Sequence, residues 1–480
     1  MSAGPLRYST ALIIPCPQRE SDKFLQAPEY AWTTGNDAFL AGTRRSRYNR
    51  LPFTDRTEAE TTTISSQSYK AAARLFLIAM VFTHAFFLWT VRERIARGDP
   101  DFTVYYTAGK ILREGRGHQL YDPSTQQVVQ QEFTSNADVR RGPLPYLHPP
   151  FEALIFLPLT FLSYSRAFLL WGVVNLGLLC VTALVLRTFL ISLREVSLFD
   201  LLLLSLGFFP VFANFHQGQD AILLLLVVSL SLRAMSRKAE FEAGCWIGLG
   251  LFKYHLILPL ILIVAFWKGR RFLLGVMSSA ALTALLSIGL VGWQGTWQYP
   301  HYVWRVISEP GFGRIPFRQL PNLLGLLAGW PYLENCGLPL HLLVLACSGA
   351  LLIFVASLRR LIDRSESLKL GIAVAIIAAL LTGYSTNTYD LSLLLLSLAL
   401  IAEYCRIELQ GQARRQLSLV LPVLPLLISP LWFLLWMKWS RINVIAVFLL
   451  WWLYAIEKEI LQRRVSAYPL VTSTASSGQG

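Results

Sequence analysis

The stretch Asp99-Pro-Asp-Phe-Thr-Val-Tyr-Tyr-Thr-Ala-Gly109 sets a carboxylate, Asp101, directly ahead of Phe102, Tyr105, Tyr106, Ile111 and Leu112 at helical spacing. A carboxylate fixed in this way can take a proton from a hydroxyl as that hydroxyl attacks. Aspartate is also a favoured helix cap, and one residue can serve both purposes. Asp99, ahead of Pro100, belongs to a more open turn and is the weaker candidate base.

Three further polar knots lie inside or between apolar runs. His216-Gln-Gly-Gln-Asp220 is dense in donors and acceptors, as binding of a polyhydroxyl ligand requires, although any turn between apolar runs is polar. Lys253-Tyr-His255 sits in the middle of the apolar run Ala243 to Trp267. A charge at mid-bilayer costs about 3 kcal/mol on insertion scales, so Lys253 must face a cavity or a partner. Lys253 and His255 then suit a buried anion such as a phosphate, and Pro259 is the expected helix breaker. In Tyr384-Ser-Thr-Asn-Thr-Tyr-Asp390, Tyr389 and Asp390 either line the same cavity or cap a helix.

The segment Gly292 to Gly337 is rich in tryptophan, tyrosine and arginine. Its aromatics fit a headgroup interface, and Arg314 and Arg318 can grip a phosphate through paired hydrogen bonds. Gly248-Leu-Gly250 is not a nucleotide loop, because no strand precedes it and no GK[ST] follows. No Ser/His/Asp set and no HExxH occurs, and no visible ligand set calls for a metal or a cofactor.

Composition fixes what must hold these residues. Of 480 residues 54% are hydrophobic and 15% charged, against about 25% charged in a soluble domain. The apolar residues cluster in runs near the ~20 residues that cross a bilayer. The expected class is all-α, a polytopic transmembrane helical bundle. The net charge of +14 (43 basic, 29 acidic) falls mostly in short clusters between apolar runs. That suits anionic membrane lipids and positive-inside orientation rather than nucleic acid. The six cysteines are scattered, with no disulfide framework or metal spacing.

In chain order, residues 1–70 read as a mobile cytoplasmic tail, with Arg44, Arg45, Arg47 and Arg50 ahead of the first span. Ala71 to Val91 is that span; its His84 reads as a packed histidine. Arg92 to His148 is a long loop in which Phe102 to Arg113 predicts a surface helix lying on the membrane, ended by Gly115 and Gly117. Pro123 to Phe133 predicts a second surface helix. Eleven further apolar runs between Phe151 and Ile456 bring the total to about twelve spans, within a membrane domain covering 71–458. Residues 459–480 read as a second cytoplasmic tail.

Counting every run as a crossing places His216 to Asp220 inside and Arg233 to Lys238 outside, opposite to the positive-inside rule. Either Phe151 to Ser163 or half of Ala243 to Trp267 is therefore expected to be re-entrant. Both readings keep the loops 92–148 and 292–337 on the extracytoplasmic face of a cell membrane.

At these residues the chain resembles glycosyltransferase family 87, within the GT-C superfamily. The resemblance rests on Asp101-Phe-x-x-Tyr-Tyr-x-Ala-Gly with Leu120-Tyr121-Asp122, Tyr146-x-x-Pro-Pro150, Gly218-Gln219, the Lys253 segment and Leu320-Pro-Asn322. It implies a hexosyltransferase, often a mannosyltransferase, that takes sugar from a polyprenyl-phosphate donor to a lipid or glycan acceptor with inversion. In GT-C enzymes the base is a carboxylate in the first outer loop, the position of Asp101. Lys253, His255, Arg314 and Arg318 would then meet the donor phosphate. Tyr105, His148, His216, Gln219, Asp220, Asn322, Tyr389 and Asp390 would contact sugar or acceptor. Some members carry a histidine where this chain has Tyr389-Asp390. A transporter or flippase of a lipid-linked sugar is the alternative; it would also carry polar knots within spans.

Overall fold

A chain immersed in lipid must bond its own backbone, which leaves helices for runs of this kind. In the computed structural model the described residues are helical with no strand among them. These are residues 55–135, 143–308, 317–330, 333, 337–362 and 365–467. Arg314, Cys16, Cys336, the arginines at 44–50 and most of both expected tails lie outside them. The first helix, Asp55–Thr90, begins ahead of the apolar run at Ala71.

Among the described residues five helices are long and apolar enough to span: Gln67–Thr90, Tyr164–Phe189, Glu240–Lys268, Arg270–Val306 and Leu338–Leu361. A sixth arises if Leu198–Gly207 and Phe209–Gln217, bent by 73°, count as one. Pro150–Phe161, Ala221–Ser236 and Leu368–Thr382 are shorter apolar helices.

The helices around Lys253 meet across glycine. A Cβ on Gly244 would stand 2.0 Å from the Phe272 carbonyl oxygen, and one on Gly275 would stand 2.1 Å from that of Phe241. Such small residues let two helix backbones close together in lipid. Gly248 belongs to the same stripe, since a Cβ there would stand 2.8 Å from that of Ser279, so Gly248-Leu-Gly250 is a packing surface. The span Glu240–Lys268 is interrupted by the tight turn Gly250–Lys253. This corrects the expectation of a break at Pro259, which lies inside the helix Tyr254–Lys268. A missing N–H within a spanning helix is tolerated when neighbours satisfy the freed carbonyl.

The first loop forms its own layer. Its helix spans Phe102–Arg113 as the periodicity predicts, and Gly115 follows at φ +69. Its apolar face does not lie on the membrane, however. Phe102, Tyr105 and Ile111 are buried against protein, with Tyr105 stacked on Phe156 at a ring separation of 4.5 Å. Periodicity shows that a face is covered, not what covers it. The cover is the segment after Pro149-Pro150. Tyr106 donates to the Leu162 carbonyl at 2.7 Å and Arg113 to that of Thr160, while Thr103 and Tyr164 share a hydroxyl bond of 2.9 Å. Phe151 to Ser163 therefore runs along Phe102–Arg113 instead of crossing.

The second surface helix is Pro123–Gln131, capped by Asp122, whose carboxylate accepts the Thr125 N–H at 2.9 Å. Tyr302 donates to Gln126 at 3.0 Å and Tyr299 to the Leu147 carbonyl at 3.2 Å. Tyrosines of the aromatic segment thus pin the first loop, whereas Trp293, Trp297 and Trp304 are exposed as headgroup-facing tryptophans are. The helix carrying them breaks at Gly292, φ +70, where the apolar run ends.

The contacts of Asp101 bear on the order of the turns along the bundle. Its backbone N–H donates to Gln217 Oε1 at 3.1 Å, so the His216 to Asp220 turn sits at the end of the bundle that carries the first loop. The 16 residues of Ala221–Ser236 then carry Arg233 to Lys238 about 24 Å away. Lys268 is likewise one helix removed from Lys253, and Arg359 joins that region by donating to the Phe266 carbonyl. The basic turns collect opposite the polar knots, as the positive-inside rule requires.

Candidate active site

Five separate stretches of chain deliver side chains to one cluster beneath the Phe102–Arg113 helix. Asp101 stands at the start of that helix, yet its side chain makes no capping bond. The carboxylate is turned elsewhere: Oδ2 accepts the Gln219 Nε2 amide at 2.7 Å, and the Tyr389 hydroxyl also bonds it. Burial lifts this carboxyl above its usual range, against the Gln219 amide and the Lys253 charge that hold it down.

Gln219 is the bridge. Its Oε1 accepts the Tyr105 hydroxyl at 2.7 Å and the Lys253 ammonium at 3.3 Å. Its backbone carbonyl accepts the Trp171 indole N–H at 3.1 Å. Gly218 makes the turn possible at φ +62, and a Cβ there would stand 2.7 Å from that of Phe102. Gly218→Ala should therefore cost about 1–3 kcal/mol of stability and push Phe102, with neighbouring Asp101, out of place. Thermal unfolding in detergent together with turnover would show both losses; unchanged values would refute this account of the turn.

Lys253 is 1% exposed, with Asp220 and Asp390 both at 0%. Its ammonium lies 2.9 Å from Asp220 Oδ1 and 3.0 Å from Asp390 Oδ1. With Gln219 these acceptors occupy the three N–H donors that an ammonium possesses. The same ammonium stands over the Tyr389 ring, 4.9 Å from its centre. Asp390 serves twice, since its Oδ2 accepts the Asn387 backbone N–H at 2.8 Å and closes a capping box. His255 Nε2 is 3.9 Å from Asp390 Oδ2, too far for a hydrogen bond.

His148 and Glu152 complete the cluster. His148 Nδ1 is 2.9 Å from Glu152 Oε2, Tyr146 donates to the same oxygen at 3.2 Å, and the Glu152 and Asp220 carboxyls are within bonding reach of each other. Burial drives the His148 pKa down to about 4, so its imidazole is neutral at neutral pH. Glu152 carries no sequence reading of its own. Its signal is a single acid in the otherwise apolar run Phe151 to Ser163.

Other residues singled out in the sequence lie elsewhere. His216 packs between Phe212 and Trp436 and lines a separate 240 Å³ cavity with Arg94 and Asp99. Asn322 caps Leu323–Ala328 and donates to the Gly383 carbonyl at 2.7 Å, which makes it a positioning residue for the Tyr384 to Asp390 loop. Arg318 sits on the short turn Phe317–Gln319.

A 530 Å³ apolar groove opens beside the cluster, lined by Pro149, Pro150, Tyr254, Tyr299 and Trp304 among others. Pro149 and Pro150 lie between His148 and Glu152 in the chain, and Tyr254 follows Lys253. The groove is thus walled in part by the immediate chain neighbours of the charged groups.

The fold and site define a membrane protein, all-α among the described residues, with a buried acid–amine cluster at one end of its helices and an apolar groove beside it. The profile of glycosyltransferase family 87 matches residues 146–386, about half of the chain, and the chain belongs to that family. It is a membrane glycosyltransferase. No curated protein and no solved structure matches it. The matched region begins after Asp101 and ends before Tyr389, so those two residues rest on geometry.

Proposed function

We propose that the protein moves a hexose, mannose foremost, from a polyprenyl-phosphate donor to a lipid or glycan acceptor on the extracytoplasmic face of a cell membrane, with Asp101 as general base. One observation carries this reading: a carboxylate unused as a cap bonds into a buried polar cluster built around one ammonium, beside an apolar groove. The groove suits a prenyl chain and the cluster a sugar phosphate. Asp101 takes the acceptor proton as the hydroxyl attacks the anomeric carbon, and the sugar–phosphate bond breaks on the opposite side, which inverts that centre. Tyr105, Gln219 and Tyr389 provide hydroxyl and amide contacts for the sugar. His255 Nε2, buried and without a hydrogen bond, can donate to the departing phosphate. Arg314 and Arg318, which the sequence puts in the second loop, are proposed as further contacts for the donor phosphate. Without Phe151 to Ser163 the expected spans number about eleven, and they include the shorter apolar helices Ala221–Ser236 and Leu368–Thr382.

The test is transfer by the purified protein in lipid nanodiscs from radiolabelled polyprenyl-phosphate hexoses to membrane glycolipids. Passage of the donor across the bilayer without transfer would favour a flippase and overturn this reading. A pH profile adds an independent check. A base must be ionised, so the rate falls as pH drops through its pKa. Because the Asp101 pKa is raised, the acid limb of kcat/KM should lie above the ordinary aspartate value of about 3.9.

A further inference from the structure

The acid cluster holds more carboxyl groups than its own cation can pair. Asp101, Glu152, Asp220 and Asp390 stand around one lysine whose N–H groups are already taken. Glu152 Oε1 and Asp220 Oδ2 are buried with no hydrogen-bond donor, on residues that are both 0% exposed. Carboxylate oxygens left in that state cost several kcal/mol, so burial of a charge is normally matched by a partner or a metal. The groove would deliver a phosphate, itself an anion, to the same place.

We propose that His148, Glu152 and Asp220 bind a divalent cation of the manganese or zinc kind, which the phosphate of the donor then meets. One ligand atom from each of the three residues lies within 4.8 Å of the others. The unpartnered Asp220 Oδ2 would face the ion while Oδ1 keeps its contact with Lys253. An imidazole beside two carboxylates favours manganese, iron or zinc over calcium or magnesium, which prefer all-oxygen shells. Three protein ligands leave coordination positions open for phosphate oxygens. The donor's part in this rests on the function proposed above; binding of the ion does not.

The experiment uses the full chain in nanodiscs, stripped with chelator and titrated with Mn²⁺ alone while free Mn²⁺ is read by electron paramagnetic resonance. The expected result is one equivalent bound per chain, weakened more than about tenfold in Glu152→Gln and in His148→Gln, and retained in Asp101→Asn. Pulsed resonance should show nitrogen coupling that disappears in His148→Gln, which serves if Glu152→Gln does not fold. The inference is overturned if the folded wild-type chain binds neither Mn²⁺ nor Zn²⁺, the result expected if Glu152 and Asp220 share a proton instead. It is overturned equally if both variants bind as wild type does, while full-rate transfer by the metal-free chain overturns the ion's contact with the donor phosphate. Stoichiometric binding without transfer from polyprenyl-phosphate sugars supports the site and counts against the donor assignment instead.

Discussion

Asp101→Asn is expected to slow transfer by about 10²–10⁴-fold, the usual contribution of a positioned general base, with little change in folding. The carboxylate makes no capping bond to its own helix, so the helix loses nothing there. Asparagine retains an oxygen that can accept the Gln219 amide, now held at 2.7 Å, but it cannot take a proton. Transfer from a radiolabelled donor, with unfolding temperature measured alongside, separates the two effects. Undiminished product would remove Asp101 from the chemistry. A large drop in unfolding temperature would make it a structural residue.

Lys253→Met is expected to be the most damaging single change to stability, by about 3–5 kcal/mol, because removing one partner leaves uncompensated buried charge. Asp220 and Asp390 are both fully buried and both bonded to that ammonium. Adding Asp220→Asn to Lys253→Met should restore part of the loss, since one of the stranded charges is then gone. Unfolding temperatures of the two variants and of Asp220→Asn alone form the test. Equal stability of Lys253→Met and wild type would mean that the ammonium does not hold the cluster together.

Local features were legible in the chain where local forces set them. The helix Phe102–Arg113 follows from its apolar spacing and the glycines after it, and Gly292 ends an apolar run where the backbone turns. That Lys253 needs a partner follows from the cost of a charge in lipid. Which partners it has does not follow, because Asp390 lies 137 positions away and only packing brings it near. The same holds for His148 and Asp220, joined through Glu152, and for Phe151 to Ser163, whose apolar character is the same whether it crosses or lies along another helix. Pro259 misled because a proline rule calibrated on water-exposed helices weakens where neighbouring helices shield the backbone.

The turn Gln217 to Asp220 touches both ends of the cluster. Gln217 and Gln219 hold Asp101, while Gln219 and Asp220 hold Lys253. Asp101 and the Lys253 ammonium are therefore geared to one short piece of backbone, so the spacing between the carboxylate and the buried cation travels as a fixed gauge. Any drift of that piece moves both groups together.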